Sequence, residues 1–569
     1  MKTKWLVALG LLVGFGSAFA GTFTTADTLI PVPEKADCTA AGDTSPLSAT
    51  TINLDARVYL PDGVSAPAPV ILVLPPYGGS KDSALVNELA HDFATQGYVV
   101  LTPTMRGFGN SEGLVTFAGP NEVNDLKTII VAMQNGTIGS SPAVAIPVSG
   151  SSKFGVTGAS YGGGHSFEIL RTHVPGLSAA APIIGWTDVY QALSPNNVPK
   201  FSYTVGLFAG GFDPQNPNYD DIMFDRAKQL LGGNPEEART NDCSSIDWRS
   251  VIFNPTELSI PLFVIQGWRD WLFPAEQAIS LFQASTNIPF FKLYIGGLGH
   301  APASSDLDTP EALYLRAQLI RWFDYWLKGI DTGIAGEPRL TVAPAHTSDW
   351  SEATLVQANT FPLPNTTTNT YLLNGATLST TSSGGRANVI RPNRFGPAVF
   401  APIEAILGSD ANALVTALAA ANLAINSGGD VLDARVATGS DDDATSASFT
   451  AAALGQDLHV LGVPQVHLTV SGSAADAYYY VQILDKLPDG TTHLVTRGAL
   501  KDTTARFRKT HQIDFPLFAT NHIFKAGNKI RLRIATRDFP FFIPNLDQDT
   551  LKIQHGKRNP SSVALPIVP

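Results

Sequence analysis

The chain has 569 residues, and its composition limits the classes of protein to which it can belong. Hydrophobic residues make up 44% and aromatic residues 9%, as in globular proteins with packed cores, and the length predicts at least two domains. A formal net charge of −11 argues against a nucleic-acid partner, since no basic cluster offsets it.

The first twenty residues predict export. Two lysines precede an apolar run over residues 5–15, and Ala18-Phe19-Ala20 resembles a signal-peptidase cleavage site. We therefore expect a signal peptide over residues 1–20, cleaved near Ala20, and a secreted or periplasmic product. No membrane anchor is expected, because no later stretch stays apolar for long enough to cross a bilayer.

Two cysteines, Cys38 and Cys243, stand in this chain. Export favours one disulfide between them, and closing so long a loop would stabilise the fold by about 4 to 5 kcal/mol in the chain-entropy model. The alternative is two thiols too far apart to meet. Neither cysteine has the spacing of a metal ligand, and we expect no metal or organic cofactor.

Strand and helix patterns alternate between residues 51 and 330. Continuous apolar runs such as residues 69–74 are typical of parallel strands buried on both faces, so the alternation predicts an α/β fold with a mostly parallel sheet. Strand patterns cover residues 52–60, 69–74, 98–102, 153–157, 179–184, 261–265 and 289–295, and helix patterns cover 85–96, 121–133 and 310–328.

Two segments complete the predicted domain organisation. Residues 187–259 interrupt the alternation with Asn, Pro, Gly and Asp, and we expect them to form a lid over the carboxyl ends of the strands. After residue 335 short strand patterns and turns predict an all-β sandwich over 336–569, with an alanine-rich helical insertion at about 402–430. The catalytic domain is expected over 21–335.

A Gly-x-Ser-x-Gly pattern at Gly158-Ala159-Ser160-Tyr161-Gly162 predicts a nucleophilic serine on a sharp turn between a strand and a helix. The pattern recurs around Ser111, so the motif alone does not identify the nucleophile. Only Ser160 directly follows a short strand pattern and precedes a helix-compatible stretch. Ser160 is therefore the predicted nucleophile, and the alternative is a tightly packed glycine-rich turn.

A serine nucleophile needs an oriented base, and two residues fit that role by order and position. In sheets of this kind the partners follow as Ser, Asp, His in loops at the carboxyl ends of strands. Asp270 follows the strand pattern that ends at residue 265, and His300 follows the one that ends at residue 295. Taken singly, a surface ion pair of Asp270 and an ordinary turn histidine remain alternatives. His165, in the helix after Ser160, is the rival base.

The oxyanion of an acyl-transfer intermediate needs two donors. The backbone N–H of Tyr161, which follows the nucleophile, is the first. The second is expected from the loop over residues 75–80, which follows the strand pattern over residues 69–74. Many hydrolases use a backbone amide there.

Several short motifs occur together in this chain: residues 76–77, 105–113, 158–162, 267–270, 299–300 and 322–329, and in the second half 484–485 with 489–490 and 538–540 with 545. In these segments the chain resembles the Xaa-Pro dipeptidyl-peptidase and cocaine esterase family of serine hydrolases. The resemblance implies an α/β-hydrolase domain followed by a jelly-roll domain. It also implies that the Tyr77 hydroxyl is the second oxyanion donor and that Ser111 lies in a structural loop.

The substrate stays open between a peptide cleaved after an Xaa-Pro pair and a small ester or amide. Trp186, Trp268 and Trp271 lie near the predicted site in sequence, so they are candidate pocket walls, with core packing as the equal alternative. A more remote alternative is an inactive hydrolase scaffold whose β-sandwich binds a surface ligand.

Overall fold

The structure is a computed structural model. The predicted signal peptide, Cys38, Cys243 and the predicted alanine-rich insertion lie outside the residues that it describes. The described residues are 21–35, 47–211, 216, 218–232, 234–240, 245–253, 255, 258–285, 287–300, 307–381, 387–391, 445–472, 476–504, 509–538, 541–543, 550–555 and 560–569.

Among the described residues of the first part of the chain there are twelve strands, and ten of them make one sheet. Strands β5 and β6 pair only with each other, and the sheet order of the others is β1-β2-β4-β3-β7-β8-β9-β10-β11-β12. The strands are β1 Phe23–Lys35, β2 Leu47–Pro61, β3 Val70–Leu74, β4 Val99–Pro103, β5 Thr137–Ile138, β6 Val144–Ala145, β7 Phe154–Ala159, β8 Leu177–Ile183, β9 Leu262–Arg269, β10 Phe291–Gly299, β11 Leu340–Val342 and β12 Val356–Ala358.

The sheet is mostly parallel, which confirms the predicted fold class. Every pairing from β4 through β11 is parallel, and β1, β2 and β12 add antiparallel edges. All residues of β3, β4 and β7 are buried, as expected for central strands covered on both faces. The sheet extends past the predicted domain boundary at residue 335, because the apolar β11 pairs with β10.

Eight α-helices accompany this sheet among the described residues. The last, α8, ends at Phe323 and continues as a π-helical turn to residue 328. In the segment predicted as a lid, helices α4 to α6 form among short 3₁₀ turns. The helices are α1 Ala84–Thr95, α2 Pro120–Gln134, α3 Tyr161–Glu168, α4 Val189–Leu193, α5 Phe201–Gly211, α6 Asp221–Leu231, α7 Ala275–Ala284 and α8 Pro310–Phe323.

The second half is a β-sandwich with its own apolar core, in which side chains such as Phe449, Leu468 and Leu532 are fully buried. Its pairings are antiparallel apart from one bridge between β14 and β16. The strands are β13 Thr367–Asn374, β14 Thr377–Ser379, β15 Asn388–Ile390, β16 Ser446–Thr450, β17 Leu458–Gly462, β18 Gln465–Ser471, β19 Ala477–Lys486, β20 Thr492–Asp502, β21 His511–Pro516, β22 Thr520–Phe524, β23 Lys529–Ala535, β24 Leu551–Gln554 and β25 Ser562–Val568.

The two halves meet along the region before α5 and along α7. The Asn196 side chain donates to the carbonyl of Ala499 at 3.0 Å, and the Ala519 amide donates to Glu276 at 2.9 Å. Aromatic side chains of the sandwich join the core of the first half, so the halves share buried apolar surface. Within the described ranges, no helix combines the length and apolarity needed to span a bilayer.

Candidate active site

Ser160 occupies a strained turn between β7 and α3. Its φ of 58° and ψ of −113° are unusual for a residue with a side chain, and its amide is held by the carbonyl of Ile183 at 3.0 Å. The flanking glycines leave room for this turn. A Cβ on Gly158 would lie 2.6 Å from the Leu74 carbonyl oxygen, and one on Gly162 would lie 2.3 Å from it. Any larger residue at either position would therefore push the turn away from β3.

The structure brings the three residues of the predicted triad together. Ser160 Oγ lies 2.8 Å from His300 Nε2, and His300 Nδ1 lies 3.0 Å from both carboxylate oxygens of Asp270. With Nδ1–H donated to the carboxylate, Nε2 is left to accept the hydroxyl proton of the serine. The imidazole and the Phe273 ring meet at an interplanar angle of 87°, with 4.7 Å between their centroids, and this contact restrains the imidazole.

Asp270 is fully buried, and its own loop orients it. Its Oδ1 accepts backbone N–H groups from Leu272 at 3.1 Å and Phe273 at 2.9 Å. These bonds stabilise a carboxylate out of contact with water and direct it at the imidazole. The geometry is that of an orienting acid rather than of the surface ion pair weighed from the sequence.

The strands that deliver Asp270 and His300 are longer than predicted. Strand β9 runs to Arg269 and β10 to Gly299, so each residue follows its strand directly instead of standing in a loop, five residues past the end of the strand. The register shifts between Gly296 and Gly299. A Cβ on Gly267 would lie 1.9 Å from the Leu298 carbonyl oxygen, so glycines in both strands permit a backbone approach that a sequence pattern reads as loop.

The two residues that carry the predicted oxyanion donors contact each other through their side chains. The rings of Tyr77 and Tyr161 meet edge to face at 5.0 Å between centroids. Burial, followed by the neighbouring phenols, raises the pKa of Tyr77 well above its usual value, so its hydroxyl stays a donor. In the structure that hydroxyl donates to the Tyr219 hydroxyl at 2.8 Å.

Glu122, which is fully buried, lies behind the turn at Ser160 and holds the strained loop that contains Phe117. Its carboxylate accepts the Tyr161 hydroxyl at 2.6 Å and the amides of Thr116 at 2.6 Å and Ala118 at 2.9 Å. Phe117 and Ala118, with φ of 55° and 56°, lie in the left-handed region. Glu122 therefore holds both the side chain of Tyr161, which follows Ser160, and the loop that carries Phe117.

The rival residues of the sequence analysis have structural partners. Ser111 Oγ donates to the carbonyl of Thr104 at 2.8 Å and accepts the amide of Asp55 at 2.9 Å, which places it in a closed loop. His165 is fully buried, with Nε2 2.8 Å from Glu122 Oε2 and Nδ1 at the carbonyl of Tyr161. Neither contacts the triad through these bonds.

The three candidate tryptophans lie in packed surroundings. Trp186 is 1% exposed, stacks on Phe117 at 5.7 Å and donates its indole N–H to the carbonyl of Arg249. Trp268 donates its indole N–H to the carbonyl of Ala343, directly after β11, and Trp271 lies under the Arg497 guanidinium. These contacts match the core-packing alternative for each indole.

An apolar pocket, here called the lid pocket, lies between Tyr77 and helices α5 and α6. Phe117 and apolar side chains of the two helices form its walls, and Arg226 and Arg249 are its positively charged lining residues. Among the described residues that line it, none is acidic. Burial lowers the pKa of Arg249 to about 10, so that guanidinium stays positive at neutral pH. The apolar lining residues are Leu193, Leu207, Phe208, Ile222, Met223, Ala227, Leu230 and Ile246.

Two family models match the chain in tandem. The model described as X-Pro dipeptidyl-peptidase (S15 family) matches residues 50–302, and that of the X-Pro dipeptidyl-peptidase C-terminal non-catalytic domain matches residues 332–564. Cocaine esterase from Rhodococcus sp. (strain MB1 Bresler) is 21% identical, over 91% of this chain and 96% of that protein. A Bacillus anthracis protein assigned as an Xaa-Pro dipeptidyl-peptidase is 26% identical over 47% of this chain, a match that spans only 44% of that protein.

Solved structures share the fold over the full length. A CocE/NonD family hydrolase from Staphylococcus aureus superposes with a TM-score of 0.64 at 16% identity, covering 95% of this chain and 94% of that chain. An alpha-amino acid ester hydrolase superposes with a TM-score of 0.66 at 19% identity, covering 99% and 100%. With these matches, the fold and its serine turn define a serine hydrolase of the α/β-hydrolase class. The chain belongs to the Xaa-Pro dipeptidyl-peptidase and cocaine esterase family.

Proposed function

We propose that the chain hydrolyses its substrate through an acyl-enzyme at Ser160. His300 Nε2 takes the hydroxyl proton as Oγ attacks the carbonyl carbon, and it then gives that proton to the leaving group. Asp270 holds the imidazole, and the Tyr161 N–H and Tyr77 O–H stabilise the oxyanion. Water releases the acid by the same steps. The contact that carries this proposal is the 2.8 Å approach of Ser160 Oγ to His300 Nε2.

Within that chemistry, the lid pocket favours a small ester or amide with an uncharged apolar group. Apolar side chains from α5 and α6 would bury such a group beside Tyr77. The substrate of a dipeptidyl-peptidase carries a free ammonium group, which needs a carboxylate partner. The pocket offers two guanidinium groups instead, so it would repel that ammonium.

Cleavage after an Xaa-Pro pair is the second candidate. It is supported by the description of both matching family models and by the Bacillus anthracis relative. The two candidates differ in whether a free amino terminus is required, so one substrate panel separates them.

The test is a panel of short acyl nitrophenyl esters beside Xaa-Pro anilides, each assayed with the wild type, Ser160→Ala and the matched control Ser111→Ala. We expect turnover of the esters by the wild type and Ser111→Ala, and none by Ser160→Ala. Turnover of Xaa-Pro anilides alone would favour the peptidase. Equal, measurable hydrolysis by the wild type and Ser160→Ala would refute the acyl-enzyme proposal, and no hydrolysis of any substrate by the wild type would favour the scaffold alternative.

Export, the lid and the disulfide belong to the same proposal. We propose that residues 1–20 direct secretion, that residues 187–259 cover the site, and that Cys38 and Cys243 pair after export. Amino-terminal sequencing of the secreted protein should begin near Gly21. Thiol titration of the unfolded, unreduced protein should find no free thiol, whereas two free thiols would contradict the pairing.

A further inference from the structure

The hydroxyl of Tyr77 is bound by a residue of the lid. Its partner, Tyr219, is 4% exposed and lies between α5 and α6. The Tyr219 hydroxyl donates in turn to the carbonyls of Phe208 at 3.0 Å and Leu207 at 3.3 Å, in the second half of α5. A line of hydrogen bonds thus runs from the proposed oxyanion donor to a helix of the lid.

Tyr219 is anchored to the catalytic half by its backbone. Its neighbours bracket Val115, since the Val115 amide donates to the carbonyl of Asn218 at 2.8 Å and the Asp220 amide donates to the carbonyl of Val115 at 3.1 Å. The Asn218 side chain also donates to the carbonyl of Gly107 at 2.7 Å. The position of the Tyr219 ring is therefore set by the loop that follows β4, and not by the lid alone.

Gly211, the last residue of α5, lets the two phenols approach that helix. A Cβ at this position would lie 2.5 Å from Cε1 of Tyr77 and 2.6 Å from the hydroxyl oxygen of Tyr219. Any side chain there would have to displace one of the two rings. The pairing of the phenols thus depends on the absence of a side chain at this point of the lid.

We infer that Tyr219 is a positioning residue for the oxyanion hole, an inference that rests on the proposed role of Tyr77. A phenol has one proton to donate, so Tyr77 must turn its O–H from Tyr219 to the oxyanion when the tetrahedral intermediate forms. Tyr219 then rotates its own O–H from the Phe208 carbonyl to the Tyr77 oxygen. No proton leaves either oxygen. The resulting chain, Tyr219 to Tyr77 to oxyanion, polarises the final donor and strengthens it.

The test is a double-mutant cycle in the full-length protein with Tyr219→Phe and Tyr77→Phe, measured on a nitrophenyl ester. The phenylalanine keeps the ring contacts of Tyr219 with Phe208 and Phe224. We expect Tyr77→Phe to lower kcat by about 10²-fold or more. Tyr219→Phe should lower kcat by about 3- to 10-fold with KM unchanged, and it should have no further effect in the Tyr77→Phe background.

Two further variants guard the interpretation. Tyr190→Phe removes another buried lid hydroxyl, bonded to Asn197 at 2.7 Å, and should leave kcat unchanged. Gly211→Ala wedges the phenols apart and should lower kcat as Tyr219→Phe does.

A kcat loss of the same size in both backgrounds, a change in KM alone, or a harmless Tyr77→Phe would each overturn the role of Tyr219. Activity retained by Ser160→Ala would instead refute the proposed function itself. The two failures are therefore distinguishable.

Discussion

Glu122 lies behind the turn that carries Ser160, and replacing it with glutamine removes the charge while keeping the shape. Its Oε2 receives three donors, from Ala118, Tyr161 and His165, and its Oε1 receives the amide and hydroxyl of Thr116. The glutamine side chain has one oxygen and one NH₂ group, so it can accept hydrogen bonds on only one of these two sides. The three donors favour the Oε2 side, so the new NH₂ faces the Thr116 amide, 2.6 Å away in the wild type.

The expected cost follows from these contacts. A buried N–H left without an acceptor costs about 1 to 3 kcal/mol, and loss of the charge weakens the three remaining bonds by about 1 to 2 kcal/mol together. Glu122→Gln should therefore lower the free energy of unfolding by about 3 kcal/mol. The loop with left-handed Phe117 and Ala118 should relax, which moves Phe117 away from Tyr77 and slows ester turnover.

Unfolding in urea at several pH values, beside ester turnover, is the assay. Burial alone would raise the pKa of Glu122, but hydrogen bonds from His165 and Tyr161 hold it at about 2. Because the pKa of Glu122 is lower in the folded than in the unfolded protein, its ionisation stabilises the fold at pH values above the unfolded pKa, near 4.5. This stabilisation is lost as pH falls toward 2. The gap between wild type and variant should thus be widest at neutral pH. The control Glu112→Gln alters an exposed carboxylate and should change little. A neutral-pH loss below about 0.5 kcal/mol, or one that grows in acid, would refute the reasoning.

Three other predictions concern the site and its surroundings. Asp270→Asn should lower kcat by about 10⁴-fold while the fold is kept, because an amide cannot hold His300 in the required tautomer; a loss under tenfold would contradict this. Burial raises the pKa of Asp188 to about 6, so the folded protein loses stability as pH rises from about 4 through 6. The melting temperature of Asp188→Asn should therefore exceed that of the wild type at pH 8 and equal it at pH 4. Gly164→Ala would place a Cβ 2.2 Å from Trp186 and should lower the melting temperature. An unchanged melting temperature in a thermal scan would contradict this.

The sequence predicts much of the fold, because parallel strands leave a clear record in their apolar runs. Residues 69–74 were expected as a buried strand, and β3 covers Val70–Leu74. The helix patterns before and after β4 are likewise found as α1 and α2. The short strands β11 and β12, at one end of the sheet, escape prediction, since three residues of alternating or apolar sequence carry no periodic signal.

The proposed triad is predictable from order and spacing, whereas the contacts of Glu122 and Tyr219 are not. Ser160, Asp270 and His300 each follow a strand, which is a local property of the sequence. Glu122 and Tyr219 act through contacts with residues 39 and 142 positions away in the chain, which only the folded molecule brings together. A buried glutamate at the start of a helix looks in sequence like an ordinary favourable first-turn carboxylate.

The most direct test of the proposed chemistry is covalent labelling of the nucleophile. The folded wild-type protein is treated with a fluorophosphonate, digested and analysed by mass spectrometry, beside Ser160→Ala and Ser111→Ala. We predict one phosphonylated peptide, modified at Ser160, in the wild type and in Ser111→Ala, and none in Ser160→Ala. An unlabelled wild type, or label retained after Ser160→Ala, would contradict the assignment of Ser160 as the nucleophile.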